Sequence, residues 1–383
     1  MFRLLLIFSY FVLFSAESAS EYDLNILHYN DFHARFVETS PTGTACNPSN
    51  SPCIGGFARL ATLVRERLIS EPYSLLLNAG DSFQGTIWYN ILRWNVTQDF
   101  MNMLPHDAHV LIVQAAAFTQ YLGEIKLTFD ESGKLLRWAG NPHYIGNEIV
   151  QAPDVVEKIN KYLPGIEEKA NEKIGTSLVE LSSNCTCAEC NYGNFICDAF
   201  MFAALPKAGP NTWNYAHFCA INRGVIRANI EEGVITYESV MVSNPFLNNV
   251  EVFDLKGKHV LEMLEFAVAN VPWPGARMMQ VSGLRATFDG SLPVNSRVLN
   301  VTVRCIECDI PRYEPLDLEK YYKVVSQSFI GNGGDGYTMI SENRKNIEVL
   351  GVDYDILMKY IRHQSPVFVD TDGRITITNA CQV

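Results

Sequence analysis

Long hydrophobic runs are almost absent from this sequence. The one largely apolar stretch, Leu4 to Phe14, is too short to span a bilayer, and the C-terminal residues Ile375 to Val383 form no hydrophobic tail. The sequence therefore predicts neither a transmembrane helix nor a lipid anchor. Internal repeats and low-complexity tracts are also absent, so the pattern does not indicate a repeat architecture.

Positive charge is scarce as well. The 383 residues include 30 Lys and Arg against 42 Asp and Glu, which gives a formal net charge of −12. A strongly acidic surface repels nucleic-acid backbones and anionic membranes, so we expect neither as a partner. An anionic small ligand would need a local basic pocket. The length allows two domains, and 48% hydrophobic with 19% charged residues is an ordinary globular balance.

The N-terminus has the pattern of a secretory signal peptide. Arg3 precedes the apolar stretch, and small residues follow it, with cleavage expected near Ser18 or Ser20. We therefore assign residues 1–20 to a signal peptide and predict a freely secreted protein.

Ten cysteines fit an oxidising compartment. The spacings Cys305 to Cys308 and Cys187 to Cys190 also allow a zinc site, but secretion favours disulfides. N-glycosylation sequons, which predict exposed loops, start at Asn95, Asn184 and Asn300. The middle residue of the second sequon is itself a cysteine, which makes that sequon the least suited to carry sugar.

The order of periodic segments indicates an α/β fold. A strand at 24–29, a helix at 58–69 and a strand at 74–77 predict a βαβ unit. A helix follows at 154–173, with Asp154 and Glu157 as its N-capping pattern, Pro164 as a break and Gly175 as a stop. From Thr176 we expect a second α/β domain. Its predicted helices are 194–203 and 256–268, and its predicted strands are 322–328 and 375–378.

Two polar motifs follow the first two predicted strands. Asp31 and His33 come after one strand, and Asp81, between Gly80 and Ser82, comes after the next. Carboxylates and neutral imidazoles are the ligands with which two-metal hydrolases hold divalent ions about 3.5–4 Å apart. We therefore predict Asp31, His33 and Asp81 as metal ligands.

These motifs, Asn30 to Arg35 and Gly80 to Gly85, resemble the first two metal motifs of calcineurin-like metallophosphatases. More closely, they resemble those of 5'-nucleotidases and of salivary apyrases from blood-feeding arthropods. The resemblance implies a metallophosphatase domain at 21–150 with a sheet sandwich flanked by helices, a helical linker at 151–175 and a nucleotide-binding α/β domain at 176–383. It also implies divalent metal ions: Zn, Mg, Mn or Ca.

The family pattern is incomplete here. Its Gly-Asn-His-Glu and Gly-His-x-His motifs are missing, and the sequence around Leu111 to Val113 joins segments that the family keeps apart. This indicates an internal deletion that truncates the metallophosphatase domain, through a splice form or an incomplete gene model. His106 and His109 near the junction could be substitute ligands, although surface or packing roles are favoured. We predict weak or no phosphohydrolase activity.

The C-terminal half resembles the family from about Ile174 to Thr378. By that resemblance Phe246 and Phe329 stack on the base and Asp335 binds the ribose, while Asn222 contacts the ligand and Arg227 grips phosphate. In this chain Arg223 replaces a family glycine, and Thr186 stands near the position of another family arginine. The resemblance further implies disulfides Cys46–Cys53, Cys197–Cys219 and Cys305–Cys308, with Cys190 bonded to Cys185 or Cys187; the remaining one and Cys381 could pair.

The expected function is extracellular action on the adenine nucleotides ATP, ADP and AMP, with inhibition of platelet aggregation through removal of ADP. One alternative is a non-catalytic nucleotide scavenger. Another is an antagonist of a platelet receptor, for which the sequence offers no Arg-Gly-Asp motif.

Overall fold

The computed structural model describes residues 22–41, 46, 48–49, 52–71, 73–83, 85–92, 94–104, 119–270 and 275–379. The predicted signal peptide, the deletion junction, His106, His109 and Cys381 lie outside these residues. Among the residues that the structure describes, no helix has both the length and the apolar character that crossing a membrane requires.

The N-terminal half is built on a five-stranded sheet. Its elements are β1 (Tyr22–Tyr29), α1 (Phe57–Ser70), β2 (Ser74–Asn78), α2 (Ile87–Leu92), α3 (Trp94–Met101), β3 (Tyr121–Phe129), β4 (Leu135–Ala139) and β5 (His143–Tyr144). The strand order is β2-β1-β3-β4, with β5 paired to β3. Strands β1 and β2 are parallel, with Tyr29 opposite Asn78, and this confirms the predicted βαβ unit.

Aromatic side chains fill the core beside this sheet. Phe36 and Phe100 stack with their ring centroids 4.5 Å apart, and Phe57 lies 5.7 Å from Phe100. All three rings are fully buried. Each such ring removes a large apolar area from water, so this cluster holds α1 and α3 against the sheet.

The linker helix α4 (Pro153–Ala170) differs from its predicted form. Ala152 occupies the N-cap position without a side-chain cap, while Asp154 pairs with Arg65 at 2.8 Å. Pro164 lies inside the helix instead of ending it. Ile159 and Ile166, before and after this proline, are both buried, and their packing offsets the hydrogen bond that proline cannot make.

The C-terminal half contains the remaining elements. They are β6 (Lys173–Ser177), α5 (Asn191–Ala204), β7 (Phe218–Asn222), β8 (Gly233–Thr236), α6 (Tyr237–Ser243), β9 (Asn249–Lys256), α7 (Gly257–Ala267), β10 (Met279–Ser282), β11 (Leu284–Asp289), β12 (Val298–Arg304), β13 (Tyr313–Pro315), β14 (Tyr321–Gln327), α8 (Ser328–Gly331), α9 (Thr338–Ser341), β15 (Lys345–Val352), α10 (Asp353–Gln364) and β16 (Ile375–Thr378). The four elements predicted for this half are confirmed as α5, α7, β14 and β16. Gly175, predicted to stop the linker helix, lies instead in β6.

A mixed sheet of order β10-β7-β14-β9-β15 forms the centre of this half. Strands β7 and β14 are parallel, whereas β9 is antiparallel to β14. One buried apolar cluster draws on α5, α6 and α10, and a second draws on α7, β11 and β12. The strands β13-β12-β11-β16 form a second sheet. The α/β class predicted from the sequence is confirmed.

The two halves pack against each other through α4 and α6. Tyr237, the first residue of α6, contacts the apolar cores of both halves. Arg35 from the N-terminal half and Glu238 from α6 line one cavity of about 330 Å³. Burial lowers the pKa of the Arg35 guanidinium to about 10, and the charge of Glu238 opposes this shift.

Four disulfides join described cysteines: Cys46–Cys53, Cys185–Cys190, Cys197–Cys219 and Cys305–Cys308. The family resemblance implied three of these disulfides. For Cys190 it left Cys185 and Cys187 as possible partners, and the structure shows Cys185. Cys187 is also disulfide-bonded. Because these sulfurs are bonded, the thiolates that a zinc site needs are not available at Cys305, Cys308 or Cys190.

The three sequon asparagines are exposed, as predicted. Two of them do not lie in loops, because Asn95 is in α3 and Asn300 is in β12. Asn184 precedes the disulfide-bonded Cys185. Exposure is compatible with glycosylation, which remains a prediction for all three.

Candidate functional site

The structure brings the three predicted metal ligands together. His33 Nε2 lies 3.7 Å from Asp31 Oδ1 and 3.4 Å from Asp81 Oδ2. The ligand atoms of all three residues are within 4.8 Å of one another. His33 is buried, whereas Asp81 is exposed. The side chains therefore form one wall that is open towards solvent on the side of Asp81.

Backbone hydrogen bonds join the two loops that carry these ligands. The amides of Asp31 and His33 donate to the carbonyl oxygens of Gly80 and Asp81, at 3.1 and 3.2 Å. Asp31, His33 and Asp81 all have φ near +50°, a left-handed conformation that is uncommon outside glycine. Such conformations persist where surrounding contacts hold them, and they cluster at functional sites.

The loop that carries Asp31 and His33 is held by the burial of Phe32 and by its close approach to Gly85. Phe32, between them, is fully buried and packs edge-on against Phe36, with ring centroids 5.0 Å apart. On the other side, a Cβ atom at Gly85 would lie 2.5 Å from His33 Cβ. Only glycine leaves room for this approach of the two loops.

Two carboxylates and an imidazole are a donor set that fits a divalent cation. Three protein ligands leave coordination positions for water or for oxygens of a ligand. Within the described residues, the other groups of metal-binding side chains contain disulfide-bonded cysteines. Asp31, His33 and Asp81 are therefore the group of described side chains that could hold a divalent ion.

The predicted nucleotide-binding residues also lie together, around a cavity of about 440 Å³. This volume is in the range of small-molecule sites. The cavity is lined by Asn222, Gly224, Val225, Arg227, Phe246, Asn248, Ala276, Gln327, Phe329 and Asp335. All five predicted residues are among them.

Two aromatic rings, Phe246 and Phe329, and the guanidinium of Arg227 line this cavity. The Phe329 side chain is 45% exposed, although large aromatic residues are usually buried. Arg227 Cζ lies 4.8 Å from the centroid of the Phe246 ring. Asn222 Nδ2 donates to Asp335 Oδ2 at 2.5 Å, which holds the carboxylate at the edge of the cavity.

The cavity and the metal ligands are neighbours. A small second cavity is lined by His33 and Gly85 from the N-terminal half and by Arg227 and Phe246 from the C-terminal half. Burial lowers the pKa of Arg227, and Arg223 adds to this shift, whereas the carboxylates of Asp81, Asp335 and Asp31 oppose it. Arg227 therefore lies in the electrostatic field of the metal ligands.

Comparison with known proteins identifies the family of this chain. Residues 173–342 match the family described as 5'-nucleotidase, C-terminal domain. An apyrase of Tabanus yao is 30% identical over 521 positions, which cover 93% of this chain and 94% of the relative.

The chain belongs to the 5'-nucleotidase and apyrase family.

Two further proteins extend the comparison. A 5'-nucleotidase of Bos taurus is 25% identical, covering 94% of this chain and 91% of its own. The crystal structure of a 5'-nucleotidase precursor from Thermus thermophilus shares the fold with a TM-score of 0.76 at 23% identity, covering 94% of this chain and 100% of that one.

The alignment with the Tabanus yao apyrase also shows how many aligned positions have no residue in this chain. It runs over 521 positions, but this chain has only 383 residues, so at least 138 positions (521 less 383) have no residue here. A difference of this kind inside an alignment that spans nearly both chains agrees with the predicted internal deletion.

Sequence analysis missed two polar residues of this cavity, Gln327 and Asn248. Asn248 is held by Asp353: its backbone N–H donates to Asp353 Oδ2 at 3.0 Å, and its carbonyl accepts from the Asp353 amide. Asp353 is fully buried, and this burial raises the pKa of its carboxyl to about 7. No motif signals this role, because it depends on contact between segments far apart in sequence.

Replacing Gly85 tests the metal site. In Gly85→Ala the new methyl group displaces His33, so we expect the affinity for Mn²⁺ to fall at least about tenfold. Isothermal titration with Mn²⁺ measures this change. Gly165→Ala is the matched control, because a Cβ at this helical glycine has no neighbour within 4 Å. Equal Mn²⁺ affinity in Gly85→Ala and wild type would contradict the site.

Asp353 predicts a pH dependence of stability. Because the folded protein keeps the Asp353 proton to about pH 7, while the unfolded chain loses it near pH 4, the free energy of unfolding falls as the pH rises between these values. The loss is on the order of 4 kcal/mol at most. Urea unfolding between pH 4 and 8 measures it.

Asp353→Asn should flatten this pH dependence. Asp355→Asn, at an exposed position in the same helical turn, should keep the wild-type slope. If both variants keep the wild-type slope, the titration of Asp353 is not its source.

Proposed function

We propose that this chain is a secreted protein that binds extracellular adenine nucleotides in the 440 Å³ cavity and hydrolyses them weakly or not at all. The observation that carries this proposal is the assembly of Asn222, Arg227, Phe246, Phe329 and Asp335 around one cavity. Two flat rings suit a base, a carboxylate suits ribose hydroxyl groups, and a guanidinium suits phosphate.

Charge favours a phosphate-bearing ligand at one end of the cavity. In a chain of net charge −12, Arg227 places a cation between the cavity and the metal ligands. A nucleotide whose base lies between Phe246 and Phe329 would direct its phosphates to this arginine. The phosphates would then also face a cation held by Asp31, His33 and Asp81.

The same geometry argues for impaired catalysis. A bound divalent ion (Zn, Mg, Mn or Ca) would neutralise phosphoryl charge and activate water. The described residues provide three ligands, and the Asn-His and Gly-His-x-His motifs are missing from the sequence. The general acid–base contribution of a catalytic histidine alone is worth roughly 10²–10⁴ in rate.

A phosphohydrolase of 5'-nucleotidase or apyrase type is the second candidate. It is supported by the assembled metal ligands beside Arg227 and by the family membership. Under either function, removal of ADP would inhibit platelet aggregation. Sequestration alone needs a dissociation constant near the working concentration of ADP, and a micromolar value corresponds to about −8.2 kcal/mol.

Calorimetry and phosphate release together separate the candidates. We expect ADP to bind with a stoichiometry of one, and phosphate release from ATP, ADP or AMP with Ca²⁺ or Mg²⁺ to stay at least about 100-fold below that of an intact family enzyme. Turnover at ordinary enzyme rates would favour the phosphohydrolase. Platelet inhibition without any nucleotide binding would favour receptor antagonism.

Substitution of the two rings tests the cavity itself. Phe246→Ala with Phe329→Ala should weaken ADP binding at least about tenfold, since each stacking contact is worth about 1–3 kcal/mol. Phe368→Ala is the matched control, because this exposed ring does not line the cavity. Unchanged ADP affinity in the double variant would refute binding at this place.

A further inference from the structure

Gln327 is a buried amide at the nucleotide cavity for which the described residues supply no hydrogen-bond partner. It is the last residue of β14 and has no solvent exposure. Neither its Oε1 nor its Nε2 makes a hydrogen bond to any described residue. Buried polar groups are nearly always paired, so an amide with both ends unpaired at a cavity wall points to a ligand.

The sheet places Gln327 at the wall of the cavity. Strand β14 lies between β7, which ends at the cavity-lining Asn222, and β9, where Val250 is the partner of Gln327. The parallel strands β7 and β14 both end here. In α/β sheets, ligands bind outside the carboxyl ends of such strands. Two residues later, Phe329 forms one of the aromatic walls.

We propose that Gln327 recognises the base of the bound nucleotide through two hydrogen bonds of its side-chain amide, one accepted by Oε1 and one donated by Nε2. This inference rests on the nucleotide binding proposed above. A base stacked on Phe246 or Phe329 would turn its edge to other residues that line the same cavity, and Gln327 is one of them. Adenine presents an amino donor beside a ring-nitrogen acceptor, and a glutamine amide matches this pair with its oxygen and its NH₂ group.

The base analogue for the test has to lack one member of this pair. Hypoxanthine is unsuitable, because an amide turned by half a rotation would match its carbonyl and N–H equally well. Purine riboside 5'-diphosphate carries hydrogen in place of the adenine amino group and keeps the ring, ribose and phosphates. It therefore isolates the hydrogen bond that Gln327 Oε1 would accept.

Titration calorimetry of ADP and purine riboside 5'-diphosphate tests the proposal on the full-length protein. We expect wild type to bind ADP about tenfold more tightly than the analogue. In Gln327→Met, which keeps the length of the side chain and removes both polar atoms, this ratio should fall below about twofold. Gln364→Met is the matched control at an exposed position and should keep the wild-type ratio.

The other outcomes distinguish an error in base recognition by Gln327 from an error in the proposed nucleotide binding. If wild type binds both ligands equally, or if Gln327→Met keeps the wild-type ratio, base recognition by Gln327 is wrong while nucleotide binding stands. If wild type binds neither ligand, the proposed function fails and this inference fails with it. The wild-type comparison needs no variant, so equal binding of the two ligands would overturn the proposal even if Gln327→Met does not fold.

Discussion

Parallel pairing of strands determines where both sites lie. Strands β1 and β2 run side by side in the same direction, and the loops that follow them exchange backbone hydrogen bonds from Asp31 and His33 to Gly80 and Asp81. In the other half, the parallel strands β7 and β14 end at the nucleotide cavity. Because strands of one direction end at one edge, polar residues distant in sequence meet there.

The two edges also face each other. His33 and Gly85 from one half share a small cavity with Arg227 and Phe246 from the other. A ligand with a flat aromatic end and an anionic end suits this succession of rings, guanidinium and metal-binding carboxylates. The arrangement therefore has the polarity that the proposed binding of a nucleotide requires.

Short polar motifs predict the metal ligands, and the family resemblance predicts the residues of the nucleotide cavity, but neither predicts the residues that support them. Asp31, His33, Asp81, Phe329 and Asp335 stand in short segments whose chemistry is visible in the sequence. Gln327 stands at the end of a mostly apolar strand, and its burial among β7, β14 and β9 depends on pairing that no local pattern reveals.

The linker helix shows a second limit of sequence reasoning. Pro164 predicts a break because it lacks an N–H group, yet the structure continues the helix through it. The deciding factor is the packing of Ile159 and Ile166, which local propensity does not contain. Tertiary burial outweighs propensity in helices that pack on both sides.

The packing of α4 and α6 between the halves has a thermodynamic consequence. Tyr237 belongs to both apolar cores, and the charge pair of Arg35 and Glu238 lies at the same boundary. Separating the halves would expose this apolar surface to solvent and remove the interaction between the two charges. Because Tyr237 of the C-terminal half also packs against the N-terminal core, loosening one half would expose apolar surface of the other, and heat should disrupt both halves in one cooperative step.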